Sequence, residues 1–215
     1  MSLYAVFEKA ARGKLPAQDG LVEVCGAYLG KAFAVVAFPA HFYVVAPVEP
    51  GWVHAVLPPG DYTAPLGARF LTALADHLGT GIGSNDAVLA ARAHGRGEVL
   101  GLRQVSGQDH RRVERAHRYR DDVRAWQTGD GAGCLVPGRG VAGRWEVSFE
   151  VEPHARGRGL GRRLALAALG LLPAGTAVFA QVAPGNSISL RTVLAAGYAP
   201  VSGEVTLPRH PGPPD

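Results

Sequence analysis

The chain has 215 residues, 47% of them hydrophobic, with 22 basic against 18 acidic side chains, enough for one good core or for a domain with a smaller subdomain. The apolar run from Ala32 to Val48 is interrupted by Pro39, His41 and Pro47, and Leu164 to Leu172 is far too short to span a bilayer; Met1-Ser2-Leu3-Tyr4, with Glu8 close behind, does not read as a secretory signal. Two cysteines, Cys25 and Cys134, give neither metal-ligand spacing nor a framework of pairs, so a disulfide scaffold is excluded and both read as buried small hydrophobes in a reducing, cytoplasmic setting.

Leu3 to Gly13 reads as a short helix. Leu21 to Tyr28, Ala32 to Phe38, Phe42 to Val48 and Trp52 to Leu57 run in β-branched and aromatic residues between Gly and Pro, the pattern of antiparallel strands. Leu66 to Leu78 has helical spacing at Phe70, Leu71, Leu74 and Leu78 and stops at Gly79. The glycines of Gly79-Thr80-Gly81-Ile82-Gly83 follow a helix and lack a lysine, so they read as a helix cap and turn. Ser84 or Asn85 caps a short element to Ala93, or Asp86 to Ala91 is a strand. Residues 94 to 108 resemble a linker.

From Asp109 to Tyr119 the spacing predicts a basic helix, with Val113 and Ala116 toward the core. Its arginines read as a solvated face: no aromatic interleaving or nucleic-acid motif accompanies them, and all but three of the basic residues in the chain are arginine, a bias of high-G+C genomes. Nucleic acid is therefore not an expected partner. Strands follow at Val123 to Thr128, Gly133 to Val136 and Arg144 to Val151. Pro208 to Asp215 reads as a disordered tail.

The most informative stretch is Val151-Glu152-Pro153-His154-Ala155-Arg156-Gly157-Arg158-Gly159-Leu160-Gly161-Arg162-Arg163. A strand ends at a proline, a glycine-bearing turn follows, and an amphipathic helix begins. Glycines there let backbone approach a ligand closely, and the first N–H groups of the helix have no partner within it. With the positive end of the helix dipole and the guanidiniums, the result is a cradle for phosphate oxygens. A Walker loop is excluded by the missing Gly-Lys-Ser/Thr ending. A dinucleotide fingerprint is excluded because Arg162 stands where its third glycine would be. Downstream, Ala177 to Val182 reads as a strand and Asn186 as the N-cap of a helix to Ala196, closed by Gly197. Tyr198 to Leu207 reads as a final hairpin turning near Gly203.

These motifs resemble the GNAT N-acetyltransferases. Arg156, Gly159 and Gly161 fall on the Arg/Gln-x-x-Gly-x-Gly/Ala signature of that family's acetyl-CoA loop, with Val151 and Pro153 ahead of it. Val182, Asn186, Ser189, Gly197 and Tyr198 meet its second motif. The resemblance covers residues 119 to 207. It implies an α/β fold (α+β, mixed sheet), the acyl-CoA N-acyltransferase fold of the GNAT enzymes, with an additional N-terminal α+β segment. Residues 1–98 would hold that segment and the first elements of the fold, 99–207 the acetyl-CoA-binding core and 208–215 the tail. The helices at Leu66 and Asp109 are candidates for the pair before the second strand. Residues 1 to about 60 then form an antiparallel capping subdomain, or a degenerate second acetyltransferase-like unit.

The implied activity is transfer of the acetyl group of acetyl-CoA, the cosubstrate, to a primary amine of a small molecule or polypeptide. The alternative is a non-catalytic acyl-CoA-binding module. The implied cofactor-binding residues are Phe149, Val151, Arg156, Gly157, Arg158, Gly159, Leu160, Gly161, Arg162, Asn186 and Ser189; no metal is implied, and a homodimer would suit the family. On the strand before the loop, Glu146, Ser148 and Glu150 share one face. Carboxylates in a covered strand need a reason: either Glu146 or Glu150 is a general base in a wet cleft, or Glu146 pairs with Arg144 or Arg124 and Glu150 caps backbone amides. The tyrosine that protonates the thiolate in many relatives is replaced by Val193, leaving Tyr119, Tyr198 or water for that task.

Overall fold

Ser2 begins the first helix by accepting a hydrogen bond from the Ala5 amide, and α1 (Leu3–Ala10) buries Leu3, Val6, Phe7 and Ala10 along one stripe. In the computed structural model, which describes residues 1–26, 30–96, 101–106 and 110–209, the chain continues through β1 (Val22–Val24), β2 (Ala32–Phe38), β3 (His41–Val45), α2 (Pro50–Val56), α3 (Ala68–Leu78), β4 (Asn85–Arg92), β5 (Arg103–Val105), α4 (Arg111–Tyr119), β6 (Ala125–Gln127), β7 (Gly133–Arg139), β8 (Trp145–Val151), α5 (Leu160–Leu171), β9 (Ala177–Val182), α6 (Ser187–Ala195) and β10 (Ala199–Pro208). This is the mixed α/β architecture expected.

All ten strands form one sheet in the order β1-β3-β2-β10-β4-β9-β8-β7-β6-β5. Among the described residues, β1–β3 and β8–β9 are the parallel pairs. β4 lies between β9 and β10, antiparallel to both, so a strand from the first 98 residues is built into the C-terminal sheet. The period of two assigns the faces. Val36, Glu204, Asp86, Gln181, Glu146 and Ser148 share one face through successive cross-strand pairs, and α1 and α4 cover that face. The opposite face carries Val35, Val205, Leu89, Ala180 and Val147; α2 and α3 pack on one half of it and α5 and α6 on the other.

Three expectations are corrected. Trp52 to Val56 is helix, not strand, with Leu57 as its C-cap: Pro50 at the first helical position presets φ, and Trp52, Val53, Val56 and Leu57 fall at i, i+1, i+4 and i+5, a stripe that packs with α3. The final hairpin is a single strand. β10 bulges between Pro200 and Ser202 and runs straight through Gly203, where a Cβ would stand 3.4 Å from Leu66 Cδ1; that glycine serves a close approach rather than a turn. β1 runs parallel to β3, not antiparallel. α3 and α4 cover opposite faces of the sheet.

The other elements stand close to their expected positions. Gly79, at φ 64°, caps α3, and Val113 and Ala116 are the buried residues of α4. The region from 94 to 108 contains the edge strand β5. Residues 27–29, 97–100 and 107–109, which include the expected end of the first strand, part of the linker and Asp109, lie outside the described residues, as do 210–215 of the tail. Among the described residues, no helix is long and apolar enough to cross a membrane.

Candidate active site

β8 pairs with β7 over its whole length, from Trp145 to Val151, but with β9 only through Trp145, Glu146 and Val147. From Ser148 onward β8 leaves β9 and the sheet opens. Pro137 shows which backbone groups face that gap. It has no N–H, so its pair with Val147 cannot be a hydrogen-bonded one. Its carbonyl accepts from the Arg124 amide, away from β8. The alternation of an antiparallel ladder then commits the backbone of Glu146, Ser148 and Glu150 to β7, and turns the N–H groups of Phe149 and Val151 toward the gap. A cavity of about 300 Å³ fills the opening. It is lined by Val147, Phe149 and Val193 toward one face of the sheet and by Ser148, Gln181 and Asp86 toward the other.

Beyond Val151 the chain turns through Pro153–Ala155 into α5. Gly157 and Gly159 both have φ of 75°, and nothing lies within 4 Å of a Cβ built on either; the left-handed backbone, not crowding, requires glycine. Gly159 is the N-cap of α5 and offers no side chain to the first turn, so the opening amides of Leu160, Gly161 and Arg162 are left for a ligand. Gly161 serves packing instead: a Cβ there would meet Thr192 Cγ2 at 3.3 Å and the Phe149 ring at 3.6 Å. Leu160 anchors the helix in the core. Arg156, Arg158, Arg162 and Arg163 are exposed, and Arg156 Nε donates to the Val151 carbonyl at 2.9 Å, fastening the turn to the strand end.

On the far side of the gap, Asn186 caps α6, its side-chain oxygen accepting from the Ser189 amide at 3.1 Å. Both residues line the cavity, as does Val193. Tyr198 does not: its hydroxyl donates to the Ala165 carbonyl inside the core, and burial raises its pKa. Of the two tyrosines considered, Tyr119 is the one at the cavity.

Glu146 and Glu150 share a face as expected, and arginines hold both. Glu146 accepts from Arg120 Nε, Arg144 Nε and the Val141 amide at 3.0, 3.0 and 3.1 Å. Its carboxylate occupies the space a Cβ on Gly140 would take, 2.0 Å from Cδ. Arg144, fully buried, also contacts Glu204 at 2.8 Å and lies 4.2 Å over the Phe7 ring. Gln181 donates to Glu204 and accepts from Arg120, closing a ring of charges across β8, β9 and β10. Burial raises the Glu204 carboxyl, with Arg144 opposing it. Glu150 pairs with Arg111 at 2.8 Å and Arg112 at 3.4 Å rather than with backbone amides. Burial would raise it, but the hydrogen bond from Arg111 and the charge of Arg112 leave it below the usual carboxylate range. Held in its charged form by these arginines, Glu150 is a poor proton acceptor.

A third carboxylate lines the same cavity and escaped the reading of the sequence. Asp86, at the start of β4, is half-buried, and desolvation raises its pKa more than a hydrogen bond from Ser84 and the charge of Arg115 lower it. Its only sequence signal is an acidic residue opening an apolar strand.

No family model and no curated protein matches the sequence. Solved structures similar to the chain include a GCN5-related N-acetyltransferase from Kribbella flavida, 22% identical, with a TM-score of 0.42 over 66% of this chain and 63% of that one. A GNAT-family acetyltransferase from Colwellia psychrerythraea is 12% identical, with a TM-score of 0.39 over 66% and 62%. A GCN5-related N-acetyltransferase from Sphaerobacter thermophilus is 18% identical, with a TM-score of 0.38 over 67% and 58%. The chain thus spans less than two thirds of the length of each.

Proposed function

We propose that this chain is a GNAT-type N-acetyltransferase that moves the acetyl group of acetyl-CoA to a primary amine by direct attack. The observation that carries the reading is the opening between β8 and β9, with the Phe149 amide turned into it and the uncapped N-terminus of α5 at its end. A thioester carbonyl polarised by a fixed N–H gains where charge develops during attack, and a donor already in place needs no reorganisation. The amides of Leu160, Gly161 and Arg162, with the exposed guanidiniums of Arg158 and Arg162, suit a diphosphate. Phe149, Val151, Asn186 and Ser189 would wall the arm between diphosphate and thioester.

The cavity reaches both faces of the sheet, so cosubstrate and acceptor can enter from opposite sides and meet at β8. Holding the two together supplies a large share of the acceleration in a reaction of this kind. The amine must lose protons before and after attack, which calls for an acceptor of raised rather than lowered pKa. Glu146 and Glu150 are better suited to fixing Arg120, Arg144, Arg111 and Arg112. No tyrosine stands at Val193, so the departing thiolate takes its proton from water or from Tyr119.

Release of CoA thiol over a panel of primary amines tests the reading. Thiol release that depends on both acetyl-CoA and amine is expected. The Val193 substitution favours one other reading, a module that binds acetyl-CoA without turnover. Thermal stabilisation by acetyl-CoA with no thiol release for any amine would establish that reading instead.

A further inference from the structure

The mouth of the cavity on the α4 face has an uneven charge. Glu146 lies between Arg120 and Arg144. At the rim, Arg111 and Arg112 share one carboxylate, Glu150, and the charge of Glu152 also acts on Arg111. Arg112 lines the cavity. Asp86 lines it too, on the sheet face that α4 covers, and among the described residues Asp86 forms no salt bridge. The two come from different parts of the chain: Arg112 from α4, and Asp86 from β4, the strand inserted between β9 and β10. A half-buried carboxylate outside those salt bridges, with the charges of Arg115 and Arg120 acting on it, and the guanidinium of Arg112 in the same cavity complement a molecule that carries both signs.

We infer that the acceptor is a small amine that also bears a carboxylate or phosphate, its ammonium docking on Asp86 and its anionic group on Arg112. The inference rests on the acetyl-transfer reading above and names its substrate class. A cavity of about 300 Å³ suits a small molecule rather than a folded chain. Polycations fit poorly, because the guanidiniums of Arg112, Arg115 and Arg120 line the cavity and present like charge to them.

Asp86 also has a chemical task in this arrangement. β4 stands two strands from β8, about 10 Å away, a distance that an amine and one water span. The ammonium gives one proton to Asp86, directly or through that water. The nitrogen lone pair then attacks the thioester carbon, the C–N bond forms, and the C–S bond breaks with its electron pair going to sulfur. The second proton on nitrogen passes to water, the thiolate takes a proton from water, and Asp86 returns its own. The products are the N-acetyl amide, CoA thiol and one proton. Burial, which raises the Asp86 carboxyl, suits it to this exchange better than Glu150, which its arginines hold low.

The test compares matched amines by thiol release at neutral pH: phosphoethanolamine against ethanolamine, β-alanine against β-alaninamide, and spermidine as the polycation. The anionic member of each pair is expected to have the higher kcat/KM by about tenfold, as a charge-assisted contact gives. Arg112→Gln should bring the pairs level, and Asp86→Asn should lower kcat for both members by about a hundredfold. Calorimetry on the same preparations should find acetyl-CoA bound alike by all three proteins. If acetyl-CoA does not bind the unmodified chain, or binds and no amine releases thiol, the transferase reading falls and this inference with it. If acetyl-CoA binds and an amine reacts, but the neutral amines or spermidine are preferred or Asp86→Asn reacts at the unmodified rate, this inference alone is overturned.

Discussion

Arg144 is the side chain whose loss the fold should feel most. It is fully buried, contacts Glu146 and Glu204 at 2.9 and 2.8 Å and stacks on Phe7. Arg144→Met keeps most of the volume and removes the charge. Glu146 retains Arg120 and the Val141 amide, but Glu204 is left with Gln181 alone. Removing one partner of a buried ion pair costs about 3–5 kcal/mol, which in a chain of this size lowers Tm by about 6–20 °C. The loss should depend on pH. Burial already raises the Glu204 carboxyl above its unfolded value, and losing Arg144 raises it further. The folded variant then binds more protons than the unfolded chain, so its deficit is full near neutrality and shrinks as pH falls toward about 4.5, the unfolded carboxyl value. Adding Glu204→Gln should recover part of the loss at neutral pH. Thermal melts followed by circular dichroism at pH 7 and pH 5 read all three effects. A single variant within 1 kcal/mol of the unmodified protein, or a deficit equal at both pH values, would refute this account of the network.

Other changes have smaller or more selective effects. Glu150→Gln frees Arg111 and Arg112; because Arg111 is largely exposed, the stability cost should stay near 1 kcal/mol. That cost should be seen above pH about 4.5 and vanish as pH falls through the depressed Glu150 value, with thiol release changing less than about tenfold if Glu150 is not the base. Tyr198→Phe removes the hydroxyl bonded to Ala165, which should lower stability by about 1 kcal/mol and leave the acetylation rate unchanged; a large fall in kcat would restore Tyr198 as the general acid. Burial and the neighbouring Glu150 push the Cys134 thiol up to about 11, and Cys25 is raised by burial as well. At pH 8 only about a thousandth of Cys134 is thiolate, so an aromatic disulfide reagent should label the unfolded chain promptly and the folded chain slowly; prompt labelling of folded protein contradicts that burial.

The C-terminal half was legible because its information is local. Glycines at 157, 159 and 161, the Asn186 cap and the alternation of β8 and β9 each depend on residues a few positions apart. Two misreadings came from short apolar runs. Trp52 to Leu57 fits a strand as well as a helix until Pro50 is weighed, and Gly203 looks like a turn until Leu66 is seen above it. The place of β4 depends on pairing with β9 and β10, more than 80 residues away, and no local periodicity encodes that. Asp86 was missed for the same reason, since its meaning comes from the wall it completes. Glu146 is legible as an unusual inward carboxylate and Arg144, two residues away, as a partner for it; Arg120 and Glu204, on distant segments, are not.

Binding of acetyl-CoA is tested most directly by titration calorimetry of the unmodified chain beside Gly159→Asp. Aspartate is a favourable helix N-cap, which offsets part of the strain of its left-handed backbone, so the variant should stay folded while its carboxylate occupies the seat of the diphosphate. The unmodified protein should bind acetyl-CoA and the variant at least about tenfold more weakly, with melting curves that remain cooperative. Equal affinity in two folded proteins, or no heat of binding to the unmodified chain, would contradict the proposed grip of α5 on the coenzyme.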